Sequence, residues 1–218
     1  AKVPGQAITV WVRGGKYRLG ETLTLTGDHS GTARAPVAWR ACPGERPVLS
    51  GARPVTGWRP HTGRILQADL QEDTLRRWDR RQLFLDGKRQ VRARYPNADP
   101  ADPWRGGSVT VEGAAQEHSV TAFTYPEGSL PHRWAKPTQG EVMMVTDWGY
   151  TTLSPIRAVD ERERAITLAQ GVRNFGQRHP WFGFQPSWFG ISVPYRFHVE
   201  NLLEELDTPR EWCVDAAE

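Results

Sequence analysis

Short stretches in which apolar and polar side chains alternate run through the first part of the chain. Residues 8–12, Ile-Thr-Val-Trp-Val, alternate as a half-buried strand does, and Gly14-Gly15 then predicts a sharp turn. Three further strands are predicted at Thr22–Thr26, Val37–Ala41 and Pro47–Ser50. Pro43 and Gly44 separate the last two strands and exclude a helix or a long strand between them.

The spacing of these strands favours a parallel arrangement. They recur at intervals of roughly ten to fifteen residues with Gly or Pro at each corner, as in the coils of a parallel β-helix. The corners are too irregular for two-residue hairpins, so parallel pairing is expected for 8–12, 22–26 and 37–41. A sandwich of antiparallel strands is the alternative, because periodicity alone does not separate the two.

The pattern changes from about residue 55 onward. Asp86-Gly87 between Leu83-Phe84-Leu85 and the run Lys88–Arg94 predicts a hairpin with a tight turn. Further strands are predicted at 108–112, 118–125, 141–148, 156–159 and 165–168, and the last two are expected to pair with each other. This middle stretch predicts an antiparallel, sandwich-like domain.

A short helix and a last strand are predicted near the end of the chain. Asn201 is expected to cap the helix with Glu204 at its third position, and Asp207-Thr208-Pro209 is expected to end it. Glu211–Asp215 is predicted as a strand.

Composition supports an all-β class and argues against a membrane span and a nucleic-acid partner. The 218 residues are 38% apolar and include ten Trp, 21 Gly and 17 Pro, which favours short strands and many turns. Apolar runs are only a handful of residues long, so no membrane span is predicted. The net charge of +3 is spread along the chain without a basic stripe carrying aromatic platforms, so nucleic acid is not an expected partner. Cys42 and Cys213 are expected to be free thiols.

Four segments carry a family resemblance, and they occur in the expected order: GGKYRLGETLTL (14–25), SGTARAPVAWRACPGERPVLSGARPVTGW (30–58), LFLDGKRQVRARYPN (83–97) and FHVENLLEELDTPREW (197–212). Together they resemble the N-terminal part of right-handed parallel β-helix proteins of the glycoside hydrolase family 141 type. The resemblance implies first β-helix coils at 1–57, an inserted antiparallel β-sandwich at 58–195 and a return to the β-helix at 196–218. It also implies action on plant-type polysaccharides such as xylan or fucosylated glycans, and a secreted or bacterial periplasmic location.

The chain also departs from this family. After a segment like EELDTPREW the family continues through Tyr-Leu-Asp and a Thr-Gly turn, whereas this chain has Cys213-Val-Asp-Ala-Ala-Glu218. It also begins almost at its first strand, without the helix expected to cap the β-helix. We therefore expect a truncated β-helix that self-associates through its open edge, near Val37–Ala41 and Glu211–Asp215, unless the inserted domain covers that edge. The family's catalytic carboxylates are expected on later coils, so none is transferred by motif.

Within this chain, candidate catalytic residues have to be sought among its own carboxylates. Glycoside hydrolysis uses two carboxyl groups about 5–10 Å apart, one protonated and one ionised. Glu141 and Asp147 bracket the predicted strand 142–146 and are the candidate catalytic pair. The densest acidic group, around Glu204 and Glu205, is interpreted as structural, with Glu204 capping the short helix and Glu205 on its solvated face.

The segment HPWFGFQPSWFG carries a candidate sugar-binding loop. Gly and Pro interrupt its large aromatic side chains, and such a loop can stack on sugar rings or, alternatively, fill a core between two domains. The candidate substrate-binding residues are Trp181, Phe184 and Trp188 for stacking, with Gln185 and Arg178 for hydroxyl groups. The six His residues have no metal-binding spacing, so neither a metal nor another cofactor is predicted.

Three hypotheses about function follow. The first is a glycoside hydrolase acting on xylan or fucosylated glycan, of which this chain is a part. The second is a binding or accessory module that holds a polysaccharide or oligosaccharide without chemistry. The third is a truncated product with no independent function.

Overall fold

The computed structural model describes residues 5–70, 82–102, 106–117, 119–145, 151–172, 191 and 195–215. These residues form an all-β structure in which the strands are joined by turns and short 3-10 helices. Contacts within the chain divide it into two compact units, Ala1–Arg77 and Trp78–Glu218. The boundaries predicted at 57/58 and 195/196 stay predictions.

Parallel pairs of strands form the first unit. Its strands are β1 (Ile8–Val12), β2 (Gly15–Arg18), β3 (Val37–Ala41), β4 (Pro47–Ser50), β5 (Arg59–Pro60) and β6 (Leu66–Gln67). β1 pairs in parallel with β3, from Ile8 opposite Val37 to Val12 opposite Ala41, and β2 pairs in parallel with β4. β5 and β6 form an antiparallel pair. The predicted bounds of β1, β3 and β4, and parallel pairing for β1 and β3, are confirmed. The right-handed parallel β-helix stays a prediction.

The prediction of a strand at Thr22–Thr26 is wrong. The chain bends at Gly14 and is extended again from Gly15 to Arg18, where it pairs with β4. Gly15 begins β2 instead of completing a turn. β2 forms the ladder with β4, and residues 22–26 pair with no strand among the described residues, so Leu23 and Leu25 are exposed in spite of their alternation.

The corners of this unit depend on particular residues. Between β3 and β4 the Glu45 N–H donates to the Cys42 carbonyl over 2.9 Å, and Gly44 takes a φ of +74°. The Glu45 carboxylate accepts hydrogen bonds from Arg13 Nε, at 2.8 Å, and from the Gly14 N–H, which ties this corner to the end of β1. A Cβ atom on Gly31 would lie 2.5 Å from the Ala35 carbonyl oxygen, so the corner before β3 requires glycine.

An antiparallel sheet dominates the second unit. Its strands are β7 (Phe84–Leu85), β8 (Lys88–Arg89), β9 (Val91–Arg92), β10 (Arg94–Tyr95), β11 (Val109–Thr110), β12 (Gly113–Ala114), β13 (Ala122–Thr124), β14 (Glu141–Val145), β15 (Thr151–Asp160), β16 (Ala165–Leu168), β17 (Arg196–Glu200) and β18 (Glu211–Trp212). The strand order in the main sheet is β10-β17-β14-β15-β16-β13-β12, with β11 also on β17.

Two stretches of chain change partners and close this sheet on itself. β15 pairs with β14 over its first half and with β16 over its second half, with an irregularity between Ile156 and Ala158. Residues 109–114 pair first with β17 and then with β13, because the Val111 N–H donates to Tyr195 and the Glu112 N–H donates to Thr124. Strands that switch sheets in this way form the corners of orthogonally packed β structures.

The core lies inside this closed sheet. Phe123 on β13 and Phe197 on β17 meet edge to face with ring centroids 4.8 Å apart. Alternate residues of the strands surround them, including Val142 and Met144 of β14 and Ile166 of β16, all fully buried. The period-2 alternation of the sequence therefore corresponds to an inner and an outer face.

Both hairpin predictions are confirmed. β7 and β8 pair antiparallel on either side of Asp86 and Gly87, whose φ angles of 51° and 76° are those of a primed turn. β15 and β16 pair across the charged turn that follows Asp160, with Asp160 opposite Ala165.

The predictions for the C-terminal segment are corrected in part. A 3-10 helix at Leu203–Glu205 follows Leu202, not Asn201. Asn201 instead takes a φ of +67° and bonds through its side chain to the backbone of Gln139 and Val214. Glu205 is not a solvated residue, because it is 1% exposed.

Glu204 does not cap the helix either, since its carboxylate accepts a hydrogen bond from the Ala135 N–H at 2.7 Å. The predicted last strand is shorter than expected: β18 covers Glu211–Trp212 and pairs in parallel with β9. Cys42 and Cys213 are both free, as predicted. Within the described ranges, no helix is long and apolar enough to cross a membrane.

Candidate functional site

The candidate catalytic residue Glu141 begins β14 in the second unit, where Glu200 of β17 lies directly opposite it. Its predicted partner Asp147 lies outside the described residues. So do all the predicted substrate-binding residues: Arg178, Trp181, Phe184, Gln185 and Trp188. The site is therefore built around Glu141, and the role predicted for the other residues stays a prediction.

Arg92 joins the two facing carboxylates. Its Nη1 lies 2.5 Å from Glu141 Oε2 and 3.1 Å from Glu200 Oε2. The side chains are 10% exposed for Arg92 and 15% for each glutamate, so the three charges are largely withdrawn from water. One shared guanidinium nitrogen thus balances two carboxylates that would otherwise repel each other at close range.

His198 extends this cluster along β17. It lies two residues before Glu200, on the same face of the strand, and its Nε2 is 2.9 Å from Glu200 Oε1. Burial lowers the pKa of His198 despite the hydrogen bond to Glu200. In the neutral ring, Nε2 carries the hydrogen and donates it to the carboxylate.

Glu200 is held in its ionised form. Burial alone would raise the pKa of Glu200, but the hydrogen bond with His198 and the charges of Arg92 and Arg94 outweigh that effect and lower it. A carboxyl group with a lowered pKa can act as a nucleophile or stabilise positive charge, but it is a poor general acid at neutral pH.

Two buried N–H groups, one within this cluster and one beside it, lack a hydrogen-bond acceptor among the described residues. Arg92 and Trp212 are opposite each other in the β9–β18 pair, and Arg92 Nε and Trp212 Nε1 are both buried without a hydrogen-bond partner. Burial raises the pKa of the neighbouring Cys213 to about 11, so this thiol is protonated at neutral pH and is not a nucleophile. The cluster is therefore a carboxylate–guanidinium–imidazole network.

Most of this network is not evident from the sequence. Arg92 and Arg94 lie two residues apart, on the consecutive strands β9 and β10, and His198 and Glu200 lie two residues apart on β17. Such spacing of charged residues in extended chain indicates a shared face. The contact of Arg92 with Glu141 depends on strand register, which that spacing does not specify. In the part of the chain that the structure describes, no group of three or more His, Cys, Asp or Glu side chains is arranged to hold a metal ion.

Comparison with known proteins supports the class of fold. No family model matches the chain, and no curated protein matches it. A solved structure named "Glycoside hydrolase" is similar to it, with a TM-score of 0.72 and 24% identity. The similarity covers 97% of this chain and 34% of that structure, so the chain spans about a third of its length. The chain thus shares its all-β fold with part of that structure.

Proposed function

We propose that this chain is part of a carbohydrate-active protein, a glycoside hydrolase that acts on plant-type polysaccharide. The observation that carries the proposal is the likeness of fold to a glycoside hydrolase structure over nearly the whole chain. The segments at 83–97 and 197–212 add the resemblance to family 141, from which xylan or a fucosylated glycan is proposed as the substrate. A secreted or bacterial periplasmic location belongs to the same proposal.

A non-catalytic role in binding the glycan is the second candidate, and the Arg92 network favours it. Catalysis of glycoside hydrolysis needs one protonated carboxyl group beside one ionised group. Here Glu141 and Glu200 both contact the Arg92 guanidinium group, and the lowered pKa of Glu200 keeps that carboxyl group from being the protonated one at neutral pH. In this arrangement the cluster stabilises the sheet, and the chain contributes binding while the hydrolytic groups lie elsewhere in the whole protein.

Two measurements on the same set of glycans separate these functions. Release of reducing sugar from xylan and fucosylated plant glycans reports hydrolysis, and co-sedimentation with the insoluble glycans reports binding. The catalytic hypothesis predicts release by the chain, lowered about a hundredfold or more in Glu141→Gln because a general acid or base is removed. Glu163→Gln, at an exposed turn, is the control and is expected to leave release unchanged.

The binding hypothesis predicts co-sedimentation without release of sugar, and no effect of Glu141→Gln on binding. A chain that neither binds nor cleaves any of these glycans contradicts both forms of the proposed function.

A further inference from the structure

The second unit also contains a cleft, and none of the residues that line it belongs to the Glu141 network. It has a volume of about 300 Å³ and is lined by the segment 125–137, the end of β15 and the turn that follows it. This volume is at the lower end of the range of about 300–1,000 Å³ that small-molecule sites occupy. Its lining combines apolar side chains, Leu130 and Val159, with polar ones, His132, Arg133, Glu161 and Arg164.

His132 is held in one orientation by a buried carboxylate. Its Nδ1 lies 3.0 and 3.1 Å from the two oxygens of Glu205, which is 1% exposed. Trp134 Nε1 donates to the same carboxylate at 2.6 Å, and the Tyr95 ring lies edge to face with the imidazole at 5.9 Å. The His132 side chain is 42% exposed, so a fixed imidazole lines an accessible cleft.

This orientation suits His132 for binding hydroxyl groups. Because Nδ1 faces the Glu205 carboxylate, it carries a hydrogen, and Nε2 is the nitrogen left for a ligand. Nε2 accepts a hydrogen bond in the neutral ring and donates one in the charged ring, and a sugar hydroxyl can serve as the partner in both cases. A side chain that is already immobilised also loses little conformational entropy when a ligand binds.

The other polar side chains of the cleft supply hydrogen-bond donors, from two arginines, and a hydrogen-bond acceptor, from one glutamate. Arg133 Nε and Glu161 Oε1 are 2.8 Å apart, with side-chain exposures of 83% and 53%. Such an exposed ion pair contributes little to stability, so ligand hydroxyls can replace its contacts at little cost. Arg164 is anchored by its Nε, which donates to the Tyr125 carbonyl at 3.3 Å.

Charge in and around the cleft is balanced. Each arginine is offset by a nearby carboxylate, Arg133 by Glu161 at 2.8 Å and Arg164 by Glu112 at 3.4 Å, and Glu205 adds a third carboxylate beside His132. An anionic ligand would therefore meet carboxylates as well as guanidinium groups. We propose that this cleft binds a neutral sugar residue of an oligosaccharide, with His132 and the Arg133–Glu161 pair as its hydrogen-bonding groups. This inference rests on the proposed function, whose glycan it places at a specific site.

Calorimetric titration of the whole chain with soluble xylo-oligosaccharides and fucosylated oligosaccharides tests the proposal. His132→Ala and Arg133→Ala are each expected to weaken binding about tenfold, as the loss of one or two hydrogen bonds does. Matched controls are His61→Ala, an exposed histidine of the first unit, and Arg162→Ala, an exposed arginine of the 161–164 turn. Both controls are expected to bind as the wild type does.

A measurement on the wild type removes any dependence on how the variants fold. Diethyl pyrocarbonate modifies exposed imidazole nitrogens, and bound oligosaccharide is expected to protect His132, but not His61, as read by mass spectrometry of peptides.

The outcomes separate this inference from the proposed function. A wild-type chain that binds no glycan overturns both. Binding that survives His132→Ala and Arg133→Ala, with no protection of His132, overturns the cleft and leaves the proposed function standing. Tighter binding of glucuronate-bearing than of neutral xylo-oligosaccharides overturns the neutral ligand class.

Discussion

The two units of this chain differ in how far their apolar side chains are buried. In the second unit Phe123, Phe197 and Val142 are completely buried. In the described part of the first unit Ala35, at 9% exposure, is the only buried apolar residue, and Trp39 is 51% exposed. Both units alternate apolar and polar residues along short strands, so the alternation itself does not cause the difference.

Sheet closure accounts for the contrast. In the second unit, strands that change partners bring the sheet back to itself, and its buried apolar side chains form one core cluster. Among the described residues of the first unit the ladders β1–β3 and β2–β4 have two strands each, and large apolar side chains on them, such as Trp39 and Leu49, remain more than half exposed. Alternation therefore produces a core only where the topology supplies an opposite face.

Truncation of an inward aromatic residue is expected to have the largest effect and to measure this contrast directly. Phe197→Ala removes a fully buried ring that packs against Phe123, and we expect it to lower the free energy of unfolding by about 3–5 kcal/mol. Trp39→Ala, in the first unit, is expected to cost less than about 1 kcal/mol because half of its surface is already in water. Urea unfolding followed by circular dichroism measures both. Equal losses would mean that closure does not explain the difference.

Removal of the buried carboxylate is expected to have the next largest effect. Glu205→Ala leaves Trp134 Nε1 buried without its acceptor, and we expect a loss of about 3 kcal/mol. Glu163→Ala, an exposed carboxylate in the same unit, is the control and should cost less than about 0.5 kcal/mol. A Glu205→Ala protein as stable as the control would show that Glu205 has no structural role, contrary to its contacts.

Self-association through the first unit is the third prediction. Among the described residues β3 pairs with β1 alone, and an unpaired strand edge next to exposed apolar side chains recruits strands from other molecules. We expect light scattering to give a mass that rises with concentration above 24.6 kDa, and Trp39→Lys to weaken association about tenfold, or about 1.4 kcal/mol. Trp58→Lys, at an equally exposed Trp outside the parallel pairs, is the control. A mass that stays at 24.6 kDa at every concentration would mean that the edge is covered.

The fourth prediction has the smallest expected effect: acid is expected to destabilise the second unit slightly. The pKa of Glu200 is lowered on folding, so its contribution is complete above its ordinary value of 4.5 and is lost as the pH falls below it. Burial also lowers the pKa of His198, which favours unfolding as the pH drops below the ordinary 6.5. We expect a loss of about 1 kcal/mol between about pH 7 and pH 4. Glu200→Gln should flatten the part of this dependence that lies below about pH 4.5 in urea titrations, and an unchanged slope there would contradict the assignment.

Local signals in the sequence were sufficient for much of the fold. The bounds of β1, β3 and β4 follow from short alternating runs that end at Gly or Pro, and the hairpin follows from the positive φ angles that Asp86 and Gly87 adopt. These features depend on neighbouring residues alone. The strand predicted at 22–26 shows the limit, because its alternation is as regular as that of β1 but the described part of the chain supplies no ladder partner for it.

The candidate site depended on contacts that no local pattern contains. The sequence by itself determined which residues alternate and where the chain turns, and it marked Glu141 as a carboxylate at a strand end. Tertiary structure alone decided that Arg92 reaches Glu141 and Glu200, which are 49 and 108 residues away in the chain. It likewise decided that Glu205 is buried beneath His132 and Trp134 and not solvated on a helix face. The physical reason is that burial and strand register depend on which distant segments pack together, and a one-residue change in register would move each of these side chains to the opposite face.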